Sequence, residues 1–129
     1  MRALLDTSVF IAREQRRPLA ELPEEVAVSV VTISELRYGV LAAADHADRA
    51  VRLSTLEATR RIGKPLAIDE AVGDELARLG VALKASGRAM KVMGAWIAAT
   101  AMAFDAAVCT QDADFEAAHE VGLLDVLRV

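Results

Sequence analysis

The sequence predicts an α/β protein, a three-layer α/β/α sandwich around a central parallel sheet of four or five strands. Short apolar runs of strand length alternate with longer stretches of helical periodicity through the 129 residues. The run VAVSVVT, residues 26–32, is β-branched and nearly continuous, as a strand covered on both faces should be. Strands separated by helices connect through right-handed crossovers, which makes the sheet parallel. No repeat, low-complexity tract or Pro/Gly/Ser linker interrupts the chain, so residues 1–129 are assigned to one domain.

The first strand is ALL, just before Asp6, and SVFIARE is the helix that follows it. After the second strand, Thr32 or Ser34 caps a helix running through ISELRYGVLAAA. Asp45 or His46 begins another helix, in which Val51, Leu53, Leu56 and Ile62 are apolar amid charge. PLAI, residues 65–68, is a weaker third strand. Asp69 caps EAVGDELARLGVALKAS, where Val72, Leu76, Leu79 and Leu83 recur at helical spacing. Residues 95–104 are small and apolar nearly all round, the pattern of a buried helix. AAVCT, residues 106–110, is the fourth strand. Asp112 or Asp114 then opens a short helix ending near Gly122, and DVLRV, residues 125–129, closes the sheet.

Composition narrows the class. At 54% hydrophobic and 4% aromatic, the core must be built mainly from Ala, Val, Leu and Ile. Charge breaks every apolar stretch well short of a bilayer span, and MRALLDTS meets Asp6 too early for a signal peptide. One cysteine, Cys109, excludes a disulfide framework and a cysteine zinc cluster, and it reads as core. A soluble cytoplasmic protein with no membrane partner is expected. The net charge of −4 argues against a general nucleic-acid coat protein. It leaves room for a basic rim around an acidic, metal-holding centre.

Acids mark the strand ends, where the crevice of a parallel α/β sheet lies. Asp6 follows the first strand in LLDTS, Glu35 sits in TISELRYG, and Asp112 and Asp114 lie in TQDADF with Thr110 nearby. Each has a bland reading: Asp6 as an N-cap, Glu35 closing a capping box with Thr32, and the last two as caps that offset a helix dipole. Taken together they gain a second reading. If the strands are adjacent, Asp6, Glu35 and Asp112 converge, and carboxylates that close repel unless a hard divalent cation lies among them. Oxygen-only ligation points to Mg²⁺ or Mn²⁺ rather than zinc.

LLDTSVFI, VTISELRYG, AWIAATA and TQDADF, in this order and across nearly the whole chain, resemble the VapC-type toxins of the PIN-domain ribonuclease family. The resemblance implies a PIN-like fold and a Mg²⁺-dependent endoribonuclease acting on RNA and inhibited by a small VapB-type antitoxin. It also implies that Asp6, Glu35 and Asp112 hold metal and water, with Asp114 close by as a further catalytic acid. Family members usually carry an Asp just before the residues that read AWIAATA here; this chain has Gly94. Two expectations follow: a weakened site with water in place of the lost ligand, or an inactive PIN-fold protein that binds antitoxin or RNA without cutting. Asp105, downstream, stands at the wrong end of the helix to substitute.

Arg37, Arg88 and Lys91 are the basic residues expected to meet RNA phosphates. Arg13, Arg16 and Arg17 are candidates for a further rim. Trp96 reads as packing or interface, His46 and His119 as bystanders, and Tyr38 and Met90 as possible partner contacts. A homodimer is expected, as is an antitoxin groove near helices 32–62 from which a basic side chain enters among the acids. Rival classes fit less well. A receiver domain lacks its late Lys, Ser8 replaces the second acid of an Asp-x-Asp phosphatase motif, and no P-loop occurs.

Overall fold

Four parallel strands form the sheet in the order β2-β1-β3-β4: β1 Arg2–Leu5, β2 Glu25–Ala27, β3 Ala107–Thr110 and β4 Val126–Arg128. The structure, a computed structural model, describes residues 2–129. The helices are α1 Thr7–Glu14, α2 Val30–Leu41, α3 His46–Arg60, α4 Glu70–Ala85, α5 Val92–Ala103 and α6 Glu116–Glu120, the last preceded by a 3-10 turn at Ala113–Phe115. Among the described residues no helix is long and apolar enough to cross a membrane.

Strand pleat sorts the core. Leu4 and Val108 point to one face and pack with Leu79, Leu83, Ile97, Ala98 and Ala101 of α4 and α5. Ala3, Leu5 and Cys109 point to the other and pack with Val9, Phe10, Leu36 and Leu56 of α1, α2 and α3. The three-layer arrangement predicted from alternation is therefore present. Ala98, Ala99 and Ala101 are fully buried, and their small size lets α5 lie close against its neighbours.

Local boundaries depart from expectation in instructive ways. The β-branched run at 26–32 does not stay a strand, because Ser29 ends it. The Ser29 side chain accepts the Val31 N–H at 2.8 Å and its carbonyl accepts the Ile33 N–H at 3.3 Å, starting α2 at Val30. Capping thus overrides the weak strand preference of two valines, and Thr32 and Ser34 lie inside the helix rather than capping it. PLAI adds no fifth strand; Leu66 makes a single parallel bridge to Ser29. Asp45 and Asp69 do cap α3 and α4, accepting from Asp48 and Val72 N–H at 2.8 and 3.0 Å. Val51 and Leu53 face outward on α3, and Leu56 and Thr59 are its buried residues. Helix α5 starts at Val92, three residues earlier than expected, which places Gly94 inside its first turn.

Candidate functional site

The chain leaves β1 toward β2 on one flank while β3 lies on the other, so the sheet's switch point falls beyond β1 and β3. Asp6 follows β1 directly, and its N–H donates to the Cys109 carbonyl at 2.9 Å. Its carboxylate is buried. It accepts the Thr110 hydroxyl at 2.8 Å and, over a long 3.4 Å, the Ser8 N–H. The cap is present but weak, and the hydroxyl from the neighbouring strand is the stronger partner. Thr110 Oγ1 also accepts the Asp112 N–H at 2.8 Å, and Ser8 Oγ accepts the Gln111 N–H at 2.9 Å. Hydroxyl groups beside the acids therefore tie the β1 and β3 loops together.

Glu35 reaches the same crevice from α2, held by the Thr7 hydroxyl, which donates to Oε1 at 2.7 Å. No capping box forms: Thr32 is buried within α2 with its hydroxyl 3.0 Å from that of Thr7. Burial raises the Glu35 carboxyl above its ordinary value, the Thr7 hydrogen bond pulls it back, and the charges of Asp6 and Asp112 raise it further. Carboxylates from distant segments thus act on one another across the crevice.

Asp112 caps the 3-10 turn by accepting the Asp114 N–H at 2.9 Å. Asp114 Oδ2 accepts the Lys91 N–H at 3.0 Å, at the start of α5. Asp6, Glu35, Asp112, Asp114, Lys91 and Gly94 all line one crevice of about 240 Å³, with Ile11, Ile97 and Phe115 among its apolar walls. The all-oxygen donor chemistry fits a hard divalent cation. The spacing is that of separately anchored carboxylates: among the described residues no three Asp, Glu, His or Cys side chains stand close enough to enclose a metal ion.

Of the basic residues predicted, only Lys91 lines the crevice. Arg37 is exposed two positions beyond Glu35, and residues so spaced do not share a helix face. Arg88 is turned away to pair with Glu120. Arg13, Arg16 and Arg17 lie at the far end of α1 from Asp6, where Arg17 bonds Gln15. Trp96 and Met90 pack against the core, and His119 Nδ1 lies 2.9 Å from the Leu124 carbonyl.

Sequence reasoning missed Arg52. Half-buried on α3, it donates to the Gly39 carbonyl at 2.7 Å. It lines a groove of about 520 Å³ that shares Thr7, Ile11, Glu35 and Met93 with the crevice and includes the exposed Tyr38. No local pattern announces such a contact between separate helices. The hydroxyls of LLDTS and CTQD, by contrast, were visible beside their acids.

The PIN domain family matches residues 3–121. Ribonuclease VapC5 of Mycobacterium tuberculosis is 44% identical over 98% of this chain and 94% of its own length. The chain belongs to the VapC-type PIN-domain family. This PIN domain is also 51% identical to Ribonuclease VapC8 of the same organism, over 76% of this chain and 88% of VapC8. Its fold is similar to the crystal structure of VapBC-5, a member of the VapBC family of toxin-antitoxin systems from that organism, with a TM-score of 0.89, 42% identity and full coverage of both chains.

Proposed function

We propose that this VapC-type PIN domain is the toxin of a VapBC pair, an endoribonuclease dependent on Mg²⁺, or Mn²⁺ in its place. Asp6, Glu35 and Asp112 would hold the cation, with Asp114 as the adjoining acid. The observation that carries the reading is the meeting of these four carboxylates in one crevice at the sheet's switch point. Similarity to the ribonucleases VapC5 and VapC8 supports RNA as the substrate.

A divalent ion in such a site supplies charge to a phosphodiester and makes a bound water more acidic. The protein's own part is positioning. Thr110 fixes Asp6 and Thr7 fixes Glu35. Lys91, which lines the crevice, would meet an RNA phosphate. The adjoining groove, lined by Tyr38 and Arg52 from residues 32–62 and by Thr7, Ile11, Glu14, Gln15 and Met93 from outside them, would take the VapB-type antitoxin. Similarity to VapBC-5, a toxin-antitoxin system, supports a partner of that class. A second copy of the chain would cover exposed apolar residues such as Val81 and Val92. Without a carboxylate at position 94, cleavage is expected to be slower than with a full set of acids.

One observation favours the rival, a PIN fold that binds without cutting: the acids are anchored apart, three of them engaged at helix or turn N-termini. Titrating Mg²⁺ into the protein with a fluorescent RNA separates the two, with Asp6→Asn as control. Cation-dependent cleavage lost in the control supports the nuclease. Binding without cleavage at any Mg²⁺ concentration establishes the rival.

A further inference from the structure

One hydroxyl group stands behind the acids without bordering the crevice. Thr32 lies in the first turn of α2, three residues before Glu35, so the two side chains share a face of that helix. Both meet Thr7, the first residue of α1: Thr32 Oγ1 lies 3.0 Å from Thr7 Oγ1, and Glu35 Oε1 lies 2.7 Å from it. Thr32 is fully buried and is not part of the crevice lining.

Counting hydrogens gives this contact a direction. A threonine hydroxyl has one hydrogen and two lone pairs, whereas an ionised carboxylate only accepts. The Thr7 hydrogen therefore goes to Glu35, and the contact between the two hydroxyls requires Thr32 to donate to Thr7. Among the described residues Thr32 Oγ1 has no other hydrogen-bond partner, and no buried side-chain oxygen or nitrogen is left unpaired. The result is a relay of two hydroxyls, from Thr32 through Thr7 to Glu35. Ser8 stands similarly behind Thr110 and Asp6, 3.2 Å from the Thr110 hydroxyl, but it is only half-buried and lines the crevice, where water can take its part. Thr32 is closed to solvent, so nothing replaces it.

We propose that Thr32 is a positioning residue of the site: its buried hydroxyl commits Thr7 to Glu35 and so sets where the carboxylate carried by α2 stands relative to Asp6, the chain neighbour of Thr7. The inference rests on reading the crevice as a divalent-cation centre. Without the Thr32 hydrogen, a buried lone pair of Thr7 loses its donor, and the Thr7 side chain is less firmly held in the rotamer that meets Glu35. Cation binding then falls although no ligand and no group lining the crevice has changed.

The test measures Mn²⁺ affinity by calorimetry, and stability in urea with chelator, on the full chain. The variants are Thr32→Val, Thr32→Ser, Thr7→Val, the double Thr7→Val with Thr32→Val, and Asp6→Asn. Thr32→Val keeps the shape without the hydroxyl and should weaken Mn²⁺ binding about fivefold, below the roughly 10–100-fold loss of a group that bonds a ligand directly. Thr32→Ser keeps the hydroxyl, though it leaves a methyl-sized gap, and should bind Mn²⁺ as the parent does. The double variant should be no weaker than Thr7→Val alone, because Thr32 acts only through Thr7. A merely structural role would instead make affinity follow stability in urea. Parent affinity in Thr32→Val overturns the inference, as does a Thr32→Ser protein as weak as Thr32→Val, or a further loss in the double variant. Were Thr32→Val not to fold, Thr7→Val still decides, since unchanged affinity there removes the only route from Thr32 to Glu35. The Asp6→Asn control separates the two levels. Retained affinity in that control refutes the cation centre and this inference together, whereas affinity lost there but intact in Thr32→Val refutes this inference alone.

Discussion

Replacing Gly94 by Asp should make the metal-free protein less stable, although it exchanges a poor helix former for a better one. The new Cβ would stand 3.1 Å from Asp114 Oδ2, so the carboxyl group attached to it comes in beside that of Asp114. Two carboxylates about 4 Å apart repel by about 1 kcal/mol in water and about 4 kcal/mol at an effective dielectric of 20. The crevice is open and Asp114 only half-buried, which favours the lower part of that range, about 1–2 kcal/mol. Two terms oppose it: a few tenths of a kcal/mol, roughly, from helix propensity, and about 0.3–1 kcal/mol from an acid in the first turn of α5. The central values leave a net loss of about 0.5 kcal/mol, which lowers Tm by roughly 2–3 °C in a domain of this size. Thermal melting of both proteins in chelator, then in Mg²⁺, reads this directly. The deficit should shrink with Mg²⁺, because a cation between the two acids offsets their repulsion. A Gly94→Asp protein that melts at or above the parent in chelator would refute the reasoning.

Two further outcomes follow from the same site. Because the Glu35 carboxyl is raised in the fold, the native state holds its proton to higher pH than the unfolded chain does. Stability from this group therefore falls as pH rises from the ordinary carboxylate value through the raised one, and it stays lost above it. Glu35→Gln keeps an acceptor for Thr7, so in chelator its stability relative to the parent should increase across that window; urea denaturation at a series of pH values checks this, and a pH-independent difference contradicts it. Thr110→Val keeps shape but removes the hydroxyl that serves Asp6 and Asp112. Leaving a buried carboxylate without its best donor should cost about 1–3 kcal/mol in urea unfolding, with cleavage falling alongside; a variant as stable as the parent would mean that the hydroxyl link contributes nothing.

Much of the fold was legible because burial on both faces leaves a simple record. The runs ALL, AAVCT and DVLRV carry β1, β3 and β4, and Asp45 and Asp69 cap the helices that follow them. The acids after β1 and β3 were legible for a similar reason, since a carboxylate directly after an apolar strand needs an explanation that a loop acid does not. What failed was local competition. At Ser29 a cap and a strand propensity pointed opposite ways, and at PLAI the apolar run gave no sign that its only sheet contact would be one bridge.

By itself the sequence determined the layers, the acidic strand ends and the empty side-chain position at Gly94. Each of these is written in residue type and period, which solvent exclusion and hydrogen-bonding capacity translate into place. Only the tertiary structure decided that Lys91 rather than Arg37 or Arg88 borders the crevice, that Glu35 is held by Thr7, and that Asp114 fills the room beside Gly94. Those facts depend on distances between segments up to about a hundred residues apart. No periodicity encodes them, because helices and strands fix directions along the chain while the packing between them fixes which side chains meet.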